Sequence, residues 1–241
     1  MNILAFDTAS SSGAVAIMKD GAIIAHTQLN IGLTHSEQLL PAVDDLMQLT
    51  GMTMAQFDAI AITAGPGSFT GLRIGFSTAK GMALGLKKPL IPLSTLDVLA
   101  QNGAAVRGLI VPIMNARRKQ VYTAVYRSNG QEITRQSDYQ AIAIADLLQE
   151  IKAVDGAPLV YFTGDGVDVF ADTIRDTLGE QAVLAEGCRK FVCADALALL
   201  AEKEAAAWAD LHGMRVEPMY LRESEAVIKW REAHPGESLE G

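Results

Sequence analysis

Two stretches of this sequence hold residues whose types and spacing could do chemistry. In the first, Asp7 and Thr8 follow the short apolar run Ile3–Phe6; a carboxylate beside a hydroxyl at a strand end could hold a magnesium-bound phosphate. An aspartate at a strand-to-turn junction is equally an ordinary turn residue. The second is Gly65-Pro66-Gly67-Ser68-Phe69-Thr70-Gly71-Leu72-Arg73-Ile74-Gly75, which leads from an apolar, β-branched strand into a helix. A helix N-terminus that follows glycines attracts anions. As a phosphate loop the stretch is weak, because GxxxxGK[ST] is absent and the third glycine of GxGxxG would come one residue late.

Other catalytic sets are missing from the sequence. Its histidines are His26, His35, His212 and His234, with no pair at the three-to-five spacing of an HxxxH or HExxH zinc site. No GxSxG elbow occurs. Cys188 and Cys193 have four residues between them, so they form neither a CxxC pair nor a disulfide framework and are expected as free thiols.

The pattern around these residues reads β-β-β-α-β-α-β-α. Strands are expected at Ile3–Phe6, Gly13–Met18 and Ala22–Leu29, the last two joined by a tight turn at Asp20-Gly21. Thr34-His35-Ser36-Glu37 has the form of a capping box and starts a helix that Gly51 stops; Pro41 inside it is expected to bend it. A strand at Ala59–Thr63, the glycine turn, a helix over about Thr70–Leu86, a strand at Leu90–Leu93 and a short helix to Ala100 complete the unit.

From Leu109 the same shape begins again, with Asn115 at the place of Asp7 and Val121–Tyr126 followed by Ser128-Asn129-Gly130 at the place of the first hairpin. Strands near Ile133–Tyr139, Leu159–Thr163 and Ala182–Leu184 alternate with helices over Ala143–Ala153, up to Leu178, and over Ala194–Trp208. The expected architecture is α/β: two similar subdomains, residues 1–103 and 104–225, each a mixed sheet flanked by helices. A charged tail over 226–241 follows, its last residues expected to be mobile. Because Asn115 is uncharged, a carboxylate pair facing a phosphate is missing, which argues against ATP hydrolysis by this chain alone.

The helix after the glycine turn carries small residues at every fourth position, Gly71, Gly75, Ala79 and Ala83, with a second ridge at Ser77, Gly81 and Gly85. An interior glycine costs about 1 kcal/mol relative to alanine, so close packing is expected to recover the loss, within its own domain or against another chain. Leu72, Phe76 and Leu86 are expected to face its own sheet, leaving Ile74, Gly81 and Gly85 for some other neighbour. A bulky leucine at Gly75 or Gly81 is then expected to block a partner while the domain stays folded.

A chain of 241 residues, 49% hydrophobic, can bury one large core or two modest ones. Its formal charge of −8 argues against broad nucleic-acid binding by this chain alone, and the compact basic run Arg117-Arg118-Lys119 reads as a solvated hairpin tip. No basic region precedes the first apolar run, and no apolar stretch approaches the roughly 20 residues of a membrane span. The cytoplasm is the expected location.

The runs Ile3-Leu4-Ala5-Phe6-Asp7-Thr8-Ala9 and Thr34-His35-Ser36-Glu37-Gln38-Leu39-Leu40-Pro41, and above all the glycine-rich run from Gly65 to Gly75, resemble the bacterial TsaB (YeaZ) family. Ala116-Arg117-Arg118 with Gln120-Val121-Tyr122, and Glu217-Pro218-Met219-Tyr220-Leu221-Arg222, extend the resemblance over nearly the whole chain. It implies an actin-like (ASKHA) duplicated fold and a part in forming N6-threonylcarbamoyladenosine in tRNAs that read codons beginning with adenine.

It further implies a non-catalytic platform without catalytic or metal-binding residues of its own. The paralogue TsaD transfers threonylcarbamoyl from threonylcarbamoyl-AMP to the adenosine next to the anticodon, and TsaE, an ATPase, joins the pair. In TsaD an HxxxH follows the strand that matches Leu90–Leu93; here that place is Thr95 and Leu99, which cannot ligate a metal. Many relatives have aspartate where this chain has Asn115, which weakens any nucleotide role for the second half. The implied partner surface is Leu39, Leu40, Val43 and Met47 of the first helix with Ile74, Thr78, Gly81 and Gly85 of the second. Two copies of that surface could pair as a homodimer when TsaD is missing, ATP or ADP could sit between this chain and TsaD, and tRNA would be met through the complex. The alternatives are a glycoprotease-type peptidase, suggested by paralogy, and an actin-fold small-molecule kinase, which would need a full phosphate clamp.

Overall fold

The computed structural model, which describes residues 1–32, 34–156, 158–208, 216–223 and 225–234, opens on β1 (Ile3–Asp7), β2 (Gly13–Lys19) and β3 (Ala22–Leu29), consecutive and antiparallel. Helix α1 (His35–Thr50) returns the chain so that β4 (Ala59–Gly65) lies parallel to β1, and α2 (Phe69–Leu86) returns it again to β5 (Leu90–Ser94). The sheet order is β3-β2-β1-β4-β5. After α3 (Thr95–Ala100), the chain forms β6 (Arg107–Asn115), β7 (Gln120–Thr123), β8 (Tyr126–Asn129), β9 (Ile133–Arg135) and β10 (Gln140–Ala143). Helix α4 (Ile144–Lys152), β11 (Val160–Thr163), α5 (Gly166–Leu178), β12 (Ala182–Leu184), α6 (Ala194–Trp208) and α7 (Glu225–Ala233) follow.

The second sheet has the order β10-β7-β6-β11-β12, the first sheet's order repeated. Two expected strands are broken in it. The run expected over 121–126 divides at Ala124-Val125 into β7, paired with the end of β6, and β8, paired with its start. At the break Val125 turns to the strand beyond, taking Ser137 Oγ on its N–H at 2.9 Å and the Gln136 N–H on its carbonyl at 2.7 Å. The neighbouring strand is interrupted in step, as β9 and β10 rather than one strand near 133–139.

Alternation along the strands builds separate cores. In β1 and β4, Leu4, Phe6, Ile60 and Ile62 face α1 and α2, whereas Ile3, Ala5, Ala59 and Ala61 face the opposite way. That opposite face is closed by α6, a helix of the second half, through Leu197, Ala198 and Ala201. Small faces small there, since Ala14 and Ala16 of β2 meet Ala194. Helix α3 lies in the same layer and packs Leu96 and Leu99 with Ile110, Tyr126 and Tyr161 of the second sheet. The far face of that sheet carries α4 and α5 over Leu109, Val111, Ile113, Val160 and Phe162.

Helix α1 runs unbroken through Pro41, which lies on its exposed side. Much of the stretch expected as an aperiodic charged tail is α7, and residues 235–241, where mobility was expected, lie outside the described residues, as does His212.

Candidate functional site

Asp7 ends β1 fully buried. Its carboxylate accepts the Ala9 N–H at 3.0 Å, the Ser10 N–H at 3.3 Å and the hydroxyls of Ser10 and Thr63. Burial pushes its pKa above the ordinary 3.8 even though these bonds pull the other way. Thr8 is buried as well, and its hydroxyl donates to the Gly71 carbonyl at 2.8 Å. Of the two readings the sequence left open for Asp7, these bonds are those of the turn residue: the turn takes up the aspartate's oxygens, and the Thr8 hydroxyl is given to α2.

The glycine-rich stretch explains why they are sealed in. A Cβ at Gly67, Gly71 or Gly75 would overlap the carbonyl of Ala9, the carbonyl of Thr8 and the hydroxyl of Thr8 respectively. Ser68 caps α2 by accepting the Gly71 N–H at 3.2 Å, and the Ser68 N–H donates to the Ala9 carbonyl at 2.8 Å. Gly65 has φ of 107°, and a Cβ there would stand 2.5 Å from the Met219 carbonyl. The ridge Gly71, Gly75, Ala79 and Ala83 is thus buried inside its own half, and the expectation that Gly75 meets a partner is corrected for the same reason.

Beyond this turn, a cavity of about 440 Å³ opens between the two halves. Ser10, His35, Ser68 and Thr70 line it from one side, and Asn115, Arg117, Tyr122, Asp165, Arg222 and Glu223 from the other. His35 Nε2 lies 3.0 Å from the Ser10 carbonyl and its Nδ1 lies 3.3 Å from Gln38 Nε2, so the ring is held between the turn and its own helix. Asp165 accepts the Asn115 N–H at 2.9 Å, and burial raises its pKa above the ordinary 3.8. Sequence reasoning missed Asp165 and Arg222 as cleft residues. The available signal was Gly164-Asp165-Gly166, which follows β11 as the glycine turn follows β4. The segment 216–223 straps the two halves together: Met219 N–H donates to Ala64 at 2.6 Å, Tyr220 stacks on Phe69 at 4.2 Å, and Arg222 Nη1 donates to Ala116 at 2.6 Å.

The surface expected to meet a partner divides. Leu39 and Val43 belong to the first half's core, because helical spacing puts them with Ala42 and Leu46 against the sheet; their assignment to the surface is corrected. Leu40 is 52% exposed, and Met47 is half-buried against the edge of the same core. On α2, Ile74 and Thr78 are half-buried, while Gly81 and Gly85 are exposed, with nothing among the described residues within 4 Å of where a Cβ would stand. Leu84, 56% exposed, stands on the same open side and was not foreseen. Thr95 and Leu99 are buried in the layer between the sheets.

A family model described as TsaD, tRNA N6-adenosine threonylcarbamoyltransferase, matches residues 30–230. The tRNA threonylcarbamoyladenosine biosynthesis protein TsaB of Bacillus subtilis is 36% identical over 97% of this chain and 99% of its own length. The chain belongs to the TsaB (YeaZ) family. An uncharacterized protein with similarity to peptidase YeaZ from Pseudomonas aeruginosa superposes with a TM-score of 0.77 at 26% identity, covering 92% of this chain and 99% of that one. The activator of the 2-hydroxyisocaproyl-CoA dehydratase from Clostridium difficile, solved with bound ADPNP, superposes with a TM-score of 0.51 at 13% identity over 86% of this chain and 96% of its own. That likeness shows the actin-like ATPase fold alone. As a member of the TsaB family the chain takes part in tRNA threonylcarbamoyladenosine biosynthesis, and among its described residues no helix is long and apolar enough to cross a membrane.

Proposed function

We propose that this chain is the non-catalytic platform of a threonylcarbamoyl-transfer complex. It docks TsaD through the adjoining flanks of α1 and α2, TsaE joins the pair, and TsaD moves threonylcarbamoyl from its adenylate to the tRNA adenosine beside the anticodon. One observation carries this reading: the open ridge of Gly81 and Gly85, flanked by Ile74, Thr78, Leu84 and Leu40, lets another helix approach to backbone distance. Glycines cost helix stability, and among the described residues no packing repays the cost at these two positions. The buried state of Thr95 and Leu99 also favours the reading, since the TsaD metal site would require histidines at an accessible surface there.

ATP or ADP, on this view, lies against TsaD and not on Asp7 and Thr8, whose polar atoms the turn already uses. In the absence of TsaD the same ridge pairs two copies of this chain. The test is a reconstitution. Mixed with TsaD, the chain should form a heteromeric complex by mass, and threonylcarbamoyl should reach tRNA only when TsaD and TsaE are also present. Transfer by the isolated chain, or no complex with TsaD, would sink the proposal.

A further inference from the structure

Strands β6 and β7 are joined through three successive residues with left-handed backbone, Arg117, Arg118 and Lys119, at φ of 63°, 50° and 60°. The other described non-glycine residues with positive φ are Asp20, in the β2–β3 turn, and Lys87, which caps α2. Those are single residues where turns and helix ends ordinarily take this conformation. A run of three bearing long side chains is unfavourable at every step, and glycine would relieve it. Such strain persists only where the surroundings enforce it, and it concentrates at functional positions.

The surroundings here do enforce it. Asn115 Oδ1 accepts the Arg117 N–H at 2.9 Å, and Asp165 in turn accepts the Asn115 N–H at 2.9 Å. The carbonyls of Ala116, Arg117 and Lys119 accept from Arg222 Nη1 at 2.6 Å, the Gln120 N–H at 2.9 Å and the Ile144 N–H at 3.1 Å. The backbone is tied down, and all three cationic residues are exposed, Arg117 lining the cleft. In a chain of net charge −8 this is a local concentration of positive charge on a hydrogen-bonded turn, with only Arg117 of the three among the cavity's lining residues. A small anion would want an enclosing cradle. A phosphate backbone, which offers charge at regular intervals along an outer surface, wants long cationic side chains on a fixed support.

We propose that Arg117, Arg118 and Lys119 contact the phosphate backbone of the RNA on which the pathway acts. The inference rests on the platform reading in one respect: the partner brings the RNA in, because the chain's own net charge weakens binding in isolation. Alone, the contact is visible only at low salt.

The test compares the wild type with the triple variant R117Q/R118Q/K119Q and with K19Q/K152Q/K203Q, which makes the same charge change at three scattered exposed sites. Filter binding of an unmodified tRNA transcript is measured for each, alone at low salt and in equimolar mixture with TsaD, across a salt series. The turn variant should lose at least tenfold in affinity in both settings, and the slope of log K against log salt should fall by about two to three; the scattered variant should change less than threefold. Equal behaviour of the two variants overturns the inference. Weaker binding to TsaD by calorimetry, with tRNA affinity unchanged, would make the turn a protein contact and also overturn it. If the wild type fails to bind TsaD while the turn variant still loses tRNA at low salt, the platform reading falls and this one stands. Equal melting temperatures of the three proteins verify that all are folded.

Discussion

Gly75 lies so close to Thr8 that a Cβ on the glycine would overlap the threonine hydroxyl, which is itself donated to the Gly71 carbonyl at 2.8 Å. The contact ties the start of α2 to the end of β1. Gly75→Ala should therefore destabilise the isolated chain by about 1–3 kcal/mol, the usual cost of overpacking, and urea denaturation would measure it. Unchanged stability would mean that the Thr8 side chain can turn away freely.

Gly81 should behave in the opposite sense. Among the described residues nothing stands within 4 Å of its missing Cβ, so Gly81→Leu restores helix propensity worth about 1 kcal/mol while filling the open ridge. The variant should melt no lower than the wild type and bind TsaD at least tenfold more weakly by calorimetry. Unaltered affinity would remove this ridge from the interface.

These two glycines show what could be read from the sequence. The period of α2 correctly set Leu72 and Phe76 on the sheet and left Gly81 and Gly85 outside. It did not reveal that the ridge through Gly71 and Gly75 is fitted to the backbone of Thr8, because that contact spans the whole first half of the sheet topology. Leu39 and Val43 were misread for a related reason, since an apolar residue on an amphipathic helix is assigned to core or partner only once the sheet beneath is known. The repeated strand order was legible in the recurrence of hairpin signals around Asp20-Gly21 and Asn129-Gly130. The breaks in β7 to β10 were not, because a strand interrupted by one backbone turn keeps the composition of a strand.

Asp7 offers a sharper test of its structural role. One carboxylate oxygen takes the Ala9 N–H and the other the Ser10 N–H, so in Asp7→Asn the new amide N–H₂ must confront a donor. A loss of about 1–3 kcal/mol is expected from the unsatisfied bond, read by urea unfolding near neutral pH. If the aspartate instead served a ligand, the variant would keep its stability.

Burial raises the Asp165 pKa above the 3.8 of an unfolded chain. Between 3.8 and that raised value the folded state holds the proton more firmly than the unfolded state, so this group's contribution to stability falls as pH rises through the window and then levels off. The unfolding free energy of the wild type minus that of Asp165→Asn should decline with rising pH over that range. A difference that rises with pH would contradict the buried environment of this carboxyl.

The two thiols should separate kinetically. Cys188 is exposed, whereas burial and the nearby Asp195 push Cys193 to about 11, leaving on the order of 10⁻³ of it as thiolate at pH 8. A disulfide reagent should show one fast and one slow phase, and Cys188→Ser should abolish the fast one. Two fast phases would show that Cys193 is open to solvent.

Helix α6 bears on how the protein is made. The wall of Ile3, Ala5, Ala59, Ala61 and Ile91 has its cover in Leu197, Ala198 and Ala201, which leave the ribosome on the order of ten seconds later at ordinary synthesis rates. Until then the nascent first half carries an uncovered apolar surface, so it cannot mature ahead of its sequel as an N-terminal domain usually does. The duplication has left neither copy able to finish without the other, and the first half's folding waits for α6 to emerge.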